Sequence, residues 1–232
     1  MCPIKWRSRV QRKRDRQAQF TFTEWGGKRR GAGRKPTGEA ACVSRHGRAE
    51  LEARFPIHVT IRIARCLPGL REKNAYFLLL RSFRAGCDRF GFRLNHYSVQ
   101  TNHIHMIVEA EDSRSLARGM QGLQIRIAKA LNKLWRRKGK VFADRFHDRI
   151  LRTPREVRNV LAYVLNNGRR HGSIGAKDVL DAFSSGRWFD GWVEGHEHDS
   201  PIHAPIARAR TWLQRVGWQV HGLIPLALVP GR

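Results

Sequence analysis

His103 and His105, separated by one residue, are the pair in this chain best placed for metal chemistry. If His103-Ile-His-Met-Ile-Val-Glu109 is a strand, both imidazoles leave the same face and converge, with Ile104 turned the other way. Two imidazoles make an incomplete ligand set, and two core histidines would show the same spacing. The helix that Pro154 opens supplies further candidates. Val157, Val160, Leu161, Val164 and Leu165 form its apolar stripe, and on the helical wheel Tyr163 and Asn167 lie about 130° and about 90° from the centre of that stripe. These two are one turn apart and point into the same space. Taken alone, Tyr163 reads as an amphipathic surface tyrosine.

Positioning such a cluster needs a sheet with the histidine strand at its centre. Ile57-His-Val-Thr-Ile-Arg-Ile63 alternates with period two and predicts a strand. Pro68 to Arg84 predicts a helix closed by Gly86, and Phe92 to Val99 and His103 to Glu109 predict a hairpin turning at Gln100-Thr101-Asn102. Ser113 to Lys138 follows as a long helix capped by Asp112 or Ser113, then a strand from Val141 to Leu151, then a helix from Pro154 to Gly168. The order β-α-β-β-α-β-α is that of an α+β, ferredoxin-like split βαβ fold with one added helix. Right-handed crossovers put the His103 strand beside the Ile57 strand in mid-sheet. Residues 1–54 read as a basic flexible arm, 55–171 as the domain itself, and 172–232 as a Trp-rich extension.

Charge identifies the partner. The chain of 232 residues has 45 Lys+Arg against 19 Asp+Glu, a net of +26. The excess lies upstream: residues 1–50 carry 14 − 4 = +10, whereas residues 172–232 carry 6 − 6 = 0. Such a surface gains affinity for a polyanion by releasing its condensed counterions, so nucleic acid is the expected ligand and an ordinary metabolic domain is excluded. In the arm, Arg29, Arg30, Arg34 and Lys35 sit among glycines. On the long helix, Met120, Leu123, Ile127, Leu131 and Leu134 share one side, while Arg126, Lys129, Lys133, Arg136, Arg137 and Lys140 supply cations to the other side and its continuation. No acid occurs between 113 and 143 to pair them, which favours phosphate contact over a merely solvated face. No apolar run approaches the ~20 residues of a membrane span, and the N-terminus lacks the apolar core of a signal peptide. The expected place is the cytoplasm. Cys2, Cys42, Cys66 and Cys87 have no Cys-x-x-Cys spacing and read as free thiols.

Asn102-His103-Ile104-His105-Met106-Ile107-Val108, followed by Tyr163-Val-Leu-Asn-Asn167, resembles the HUH single-tyrosine transposases. Within them it is most similar to the REP-associated, insertion-sequence 200-like group, over about Phe55 to His171. The resemblance implies a metal-dependent endonuclease and ligase for single-stranded, hairpin-bearing DNA, acting as monomer or homodimer. It makes His103 and His105 metal ligands, Tyr163 the nucleophile and Asn167 the third ligand, with Asn166 as the alternative. The family often has Asn-Pro where this chain has Asn167-Gly168. The residue types suit that chemistry. A phenol, pKa ~10, is a poor nucleophile at neutral pH, and a phosphodiester repels anions, so a cation must draw charge from the scissile phosphate. Mn²⁺ tolerates mixed N/O ligands better, and Mg²⁺ is more abundant. Attack would give a 5′-phosphotyrosine and a free 3′-OH, conserving the bond energy for rejoining.

Other readings stay open on sequence alone. Asp112, Asp144 and Asp148 would have to converge to make an acidic nuclease, and pair more simply with Arg145, Arg149 or Arg152. His196, His198 and His203 read as exposed histidines rather than a zinc site. A non-catalytic RNA or DNA binder on an RRM-like frame has the same topology but expects aromatics on the open sheet face. A replication initiator or relaxase-type nickase shares the chemistry.

Overall fold

Ile57, Val59 and Ile61 are buried and alternate with the less buried His58, Thr60 and Arg62, which makes β1 (Ile57–Arg62) a strand with one face fully packed. The computed structural model describes residues 50–170, 172, 174, 180–195 and 204–229. Next come α1 (Lys73–Gly86), a two-residue β2 (Asp88–Arg89), β3 (Phe92–Val99), β4 (His103–Ala110), α2 (Ser113–Leu134), β5 (His147–Ile150), α3 (Pro154–Leu165), α4 (Asn167–Arg170) and α5 (Trp212–Arg215), with 3₁₀ turns at Ser185–Trp188 and Gly217–His221. The strands form an antiparallel sheet in the order β2-β3-β4-β1-β5, the α+β split βαβ arrangement expected, with β4 beside β1 at its centre.

Register divides the side chains between two faces. Ile57, Val59, Ile61, Ile104, Met106, Val108, Leu94, Tyr97 and Val99 pack against Leu79 and Phe83 of α1 and Leu116, Met120, Leu123, Ile127 and Leu131 of α2. At Gly119, α2 crosses so close to β3 that a Cβ would lie 2.1 Å from the Phe92 ring. On the other face Ile107 packs with Val157, Leu161 and Val164 of α3, and with Phe189, Trp192, Leu213 and Trp218 of the C-terminal segment. Two of the four downstream tryptophans are therefore core, while Trp212 is exposed.

Four boundaries depart from expectation, one of them the end of α3, which stops at Leu165 with Asn166 as its cap rather than running to Gly168. α1 begins at Lys73 rather than Pro68, because the Leu70 backbone donates to the carbonyl of Thr101 in the β3–β4 turn instead of entering a helix. α2 stops at Leu134, since Trp135 caps it and Arg136 turns to a φ of 49°. Of the strand expected over 141–151 only β5 is regular, apart from a single bridge between Phe142 and Ile63. α3 is closed at its start by a complete capping box, Thr153 with Glu156, and by Pro154 in its first turn.

Candidate active site

Cross-strand register assembles the site. His105 of β4 lies opposite Ser98 of β3 and Thr60 of β1, and His103 lies opposite Arg62. All share the face that α3 covers. His103 Nε2 is 3.1 Å from His105 Nε2, and Tyr163 of α3 brings its hydroxyl to 3.3 Å from that same nitrogen. The tyrosine and the histidine pair thus meet within one chain, with the Tyr163 ring edge-on to His105 at 5.0 Å and the Arg170 guanidinium 5.3 Å from the Tyr163 ring centre.

The outer nitrogens of both histidines face acceptors. Asn102 Oδ1 lies 2.7 Å from His103 Nδ1. Thr60 Oγ1 at 3.1 Å and His58 Nε2 at 3.2 Å flank His105 Nδ1. Burial first, then the charges of Arg149 and His147, pushes His58 down to about 4, so it is neutral and able to accept. These partners favour a proton on each Nδ1 and leave the Nε2 lone pairs facing each other. Two lone pairs 3.1 Å apart repel unless a proton or a cation lies between them. The separation is close to that of two neighbouring ligands each about 2.1 Å from one ion.

Among the described residues, no group of three His, Cys, Asp or Glu side chains converges for a metal, so a third protein ligand of those types is not at hand. The amide of Asn167 is different. It is fully buried, and neither its Oδ1 nor its Nδ2 has a hydrogen-bond partner among the described residues. Asn166 donates to the Pro225 carbonyl at 3.2 Å. The wheel had placed Asn167 outside the core. It is inside because the segment after α4 folds back over that turn: a Cβ at Gly168 would lie 2.3 Å from Asp181 Oδ2 and 2.7 Å from Ile174. Glycine after Asn167 is what the close approach of that segment requires. Asp181 is held in place by a paired hydrogen bond with Arg71, at 2.8 and 2.9 Å.

The expected basic row is broken in two. Arg126, Lys129 and Lys133 stand on α2, which packs on the face of the sheet opposite Tyr163. Arg136, Arg137 and Lys140 lie past the helix end, where Arg137 bonds Asn132 Oδ1 and Lys140 bonds the Ala143 carbonyl. Arg29, Arg30, Arg34 and Lys35 lie outside the described residues, as do His196, His198 and His203, and Cys2 and Cys42. Asp112 caps α2 through Ser115, and Arg149 pairs with Glu156 rather than with a nearby aspartate. His58 and Thr60 were missed as partners of His105. Their signal was present, since both fall on the polar side of an alternating strand expected to neighbour β4.

Residues 58–167 match the family described as IS200-like transposases. The fold is shared with a solved REP-associated tyrosine transposase bound to a REP hairpin, at 17% identity and a TM-score of 0.50, over 61% of this chain and 82% of that one. A bacterial tRNA(His) guanylyltransferase-like protein in complex with GTP is similar at 13% identity and a TM-score of 0.37, over 50% of this chain and 63% of its own. No curated protein matches the chain. No helix among the described residues is long and apolar enough to cross a membrane.

Proposed function

We propose that this chain is a metal-dependent single-strand DNA endonuclease and strand transferase, a transposase that cuts at or beside a palindromic hairpin through a 5′-phosphotyrosine and rejoins strands. The observation that carries the reading is the approach of the Tyr163 hydroxyl and His103 Nε2 to the same nitrogen of His105, at 3.3 and 3.1 Å. His103 and His105 would hold Mg²⁺ or Mn²⁺ through their Nε2 atoms, and Asn167, whose amide has no partner among the described residues, is the preferred third ligand over the engaged Asn166. When bound, the ion draws charge from the scissile phosphate.

The chain's own part is positional. α3 delivers the phenol, and His58, His105 and Arg170 hold its ring in one orientation. The Tyr163 oxygen bonds to phosphorus as the bond to the 3′-oxygen breaks. The phenol loses its proton, and the departing 3′-oxygen gains one. A 3′-OH attacking the phosphotyrosine reverses these changes and reseals a strand, or transfers it if the hydroxyl is a different one. Arg62, exposed beside His103 on the same face, is set to meet an incoming phosphate. Arg126, Lys129 and Lys133, on the far face, would grip the hairpin stem, with the arm and the cations after α2 adding further phosphate contacts. An RRM-type binder would need this sheet face open for stacking, whereas α3 covers it.

The test is incubation with Mn²⁺ and hairpin-bearing single strands labelled at either end. After denaturation the 3′ label should stay with the protein and the 5′-labelled fragment should leave with a free 3′-OH; retention of the 5′ label, or of neither, overturns the reading. A second prediction concerns the metal alone. Thr60→Val removes one of the two groups that orient His105, and Mn²⁺ affinity by calorimetry is expected to fall about 10-fold, in the range for a lost outer partner of a ligating histidine.

A further inference from the structure

The departing 3′-oxygen must gain a proton as the phosphoryl group passes to Tyr163, because an alkoxide is a poor leaving group. In such a transfer the attacking and departing oxygens lie roughly in line, on opposite sides of phosphorus. Tyr163 arrives from α3, which packs chiefly against β3 and β4. The departing oxygen therefore faces the other half of the same sheet face, on β1 and β5. That half is open, since Arg62, His147 and Arg149 are exposed there.

Register puts His147 in the row of the histidine pair. It lies directly opposite Thr60, which lies directly opposite His105 and brings its hydroxyl to 3.1 Å from His105 Nδ1. Directly opposed residues point to one face, so His105, Thr60 and His147 form a single line across three strands. The backbones of the two histidines are two strand spacings apart, about 10 Å. Two rings reaching inwards and one phosphodiester group between them fill such a span. His147 is also close to His58: after burial, the charges of Arg149 and His147 are what hold the His58 ring neutral.

The other polar side chains of this open half are occupied or hold their protons. His58 and Thr60 flank His105 Nδ1. Arg149 pairs with Glu156 of α3 at 2.8 Å, and a guanidinium, that of Arg62 included, does not give up a proton in a protein. His147 has no hydrogen-bond partner among the described residues, and imidazole is the side chain suited to proton exchange near neutral pH.

We propose that His147 is the general acid of strand cleavage, giving a ring proton to the departing 3′-oxygen, and the base that takes it back on rejoining. The assignment rests on the reading of the chain as a tyrosine nickase. The bond from the Tyr163 oxygen to phosphorus forms as the bond to the 3′-oxygen breaks. The His147 proton passes to that oxygen, and the proton of the phenol passes to water. In the reverse step the attacking 3′-OH returns its proton to the neutral ring, and water returns that of the phenol.

The experiment uses the full chain with Mn²⁺ and two hairpin-bearing strands, one native at the bond that is cut and one with sulfur in place of its bridging 3′-oxygen. A thiolate departs without a proton, so the sulfur strand needs no acid. His147→Ala and His147→Gln should each slow covalent adduct formation on the oxygen strand at least about 100-fold, the lower end of what a general acid contributes. On the sulfur strand both should stay within about threefold of the native chain. Because His147 is exposed, thermal unfolding of both variants should match that of the native chain. An equal loss on the two strands would mean that His147 only holds the substrate, and an undiminished rate on the oxygen strand would remove it from the reaction. Either result overturns the proposal, while adduct formation by the native chain still upholds the nickase. No adduct from the native chain on either strand removes the nickase and this acid with it.

Discussion

Tyr163→Phe is expected to abolish the covalent protein–DNA adduct and to lower strand cleavage by at least about 10⁴-fold, the scale on which removal of a nucleophile acts in other covalent enzymes. Hairpin affinity should stay within about twofold, because the cations on α2 and beside His103 are untouched. The substitution isolates one atom. The phenylalanine ring keeps the edge contacts with His58 and His105 and the position under Arg170. What goes is the hydroxyl and its 3.3 Å contact with His105, a neutral hydrogen bond of about 1 kcal/mol to stability. Thermal unfolding should therefore be nearly unchanged while chemistry is lost. Denaturing electrophoresis with labelled strands separates the two effects, and cleavage at the native rate by the phenylalanine variant would remove Tyr163 from the reaction.

The geometry behind that prediction was partly legible in the sequence, and the part that was not has a common physical reason. Period-two alternation locates β1, β3 and β4, and the handedness of crossovers sets β4 beside β1, so His103 and His105 could be placed on a supported central strand before any coordinates. The helical wheel of α3 likewise sets Tyr163 apart from the apolar stripe, and Tyr163 is half-buried at the site. The wheel fails for Asn167, because it weighs a helix against a single packing partner. Here the turn after α3 is covered again by Ile174 and Asp181, which no local periodicity can register. α2 ends early for a related reason. The cationic residues continue past Leu134 with good helix propensity, but Arg136 adopts a positive φ and Arg137 turns back on Asn132. Arg and Lys spacing reports where charge can be, whereas the cap reports where the helix stops.

The neutral C-terminal stretch shows the same limit more strongly. Its composition says only that it differs from the basic part of the chain. Phe189, Trp192, Leu213 and Trp218 nevertheless share a core with α3, and Arg158 and Arg169 of the helical segment donate to the carbonyls of Gly222, Leu223 and Leu226. The helix bearing Tyr163 is thus clamped between the sheet and a segment some fifty residues downstream. Precision at the hydroxyl depends on both sides of that clamp, since a nucleophile displaced by an ångström loses much of its advantage.

One buried carboxylate ties that segment to the sheet. Glu109, on β4 with His103 and His105, is fully buried and accepts from Arg93 Nε at 3.0 Å, from the Arg210 backbone at 2.9 Å and from the Thr211 backbone at 2.8 Å. Glu109→Ala would leave the buried Arg93 without its counter-charge and two backbone N–H groups without their acceptor. The expected cost is about 3–5 kcal/mol, the range for breaking one side of a buried pair. For a chain of this length that lowers the thermal midpoint by roughly 10 °C. Glu109→Gln keeps the shape and one acceptor oxygen, so it should cost less, and combining Glu109→Leu with Arg93→Met should recover most of the loss by removing both charges together. A full thermal midpoint in Glu109→Ala would mean that the aromatic core under α3 holds the C-terminal segment by itself.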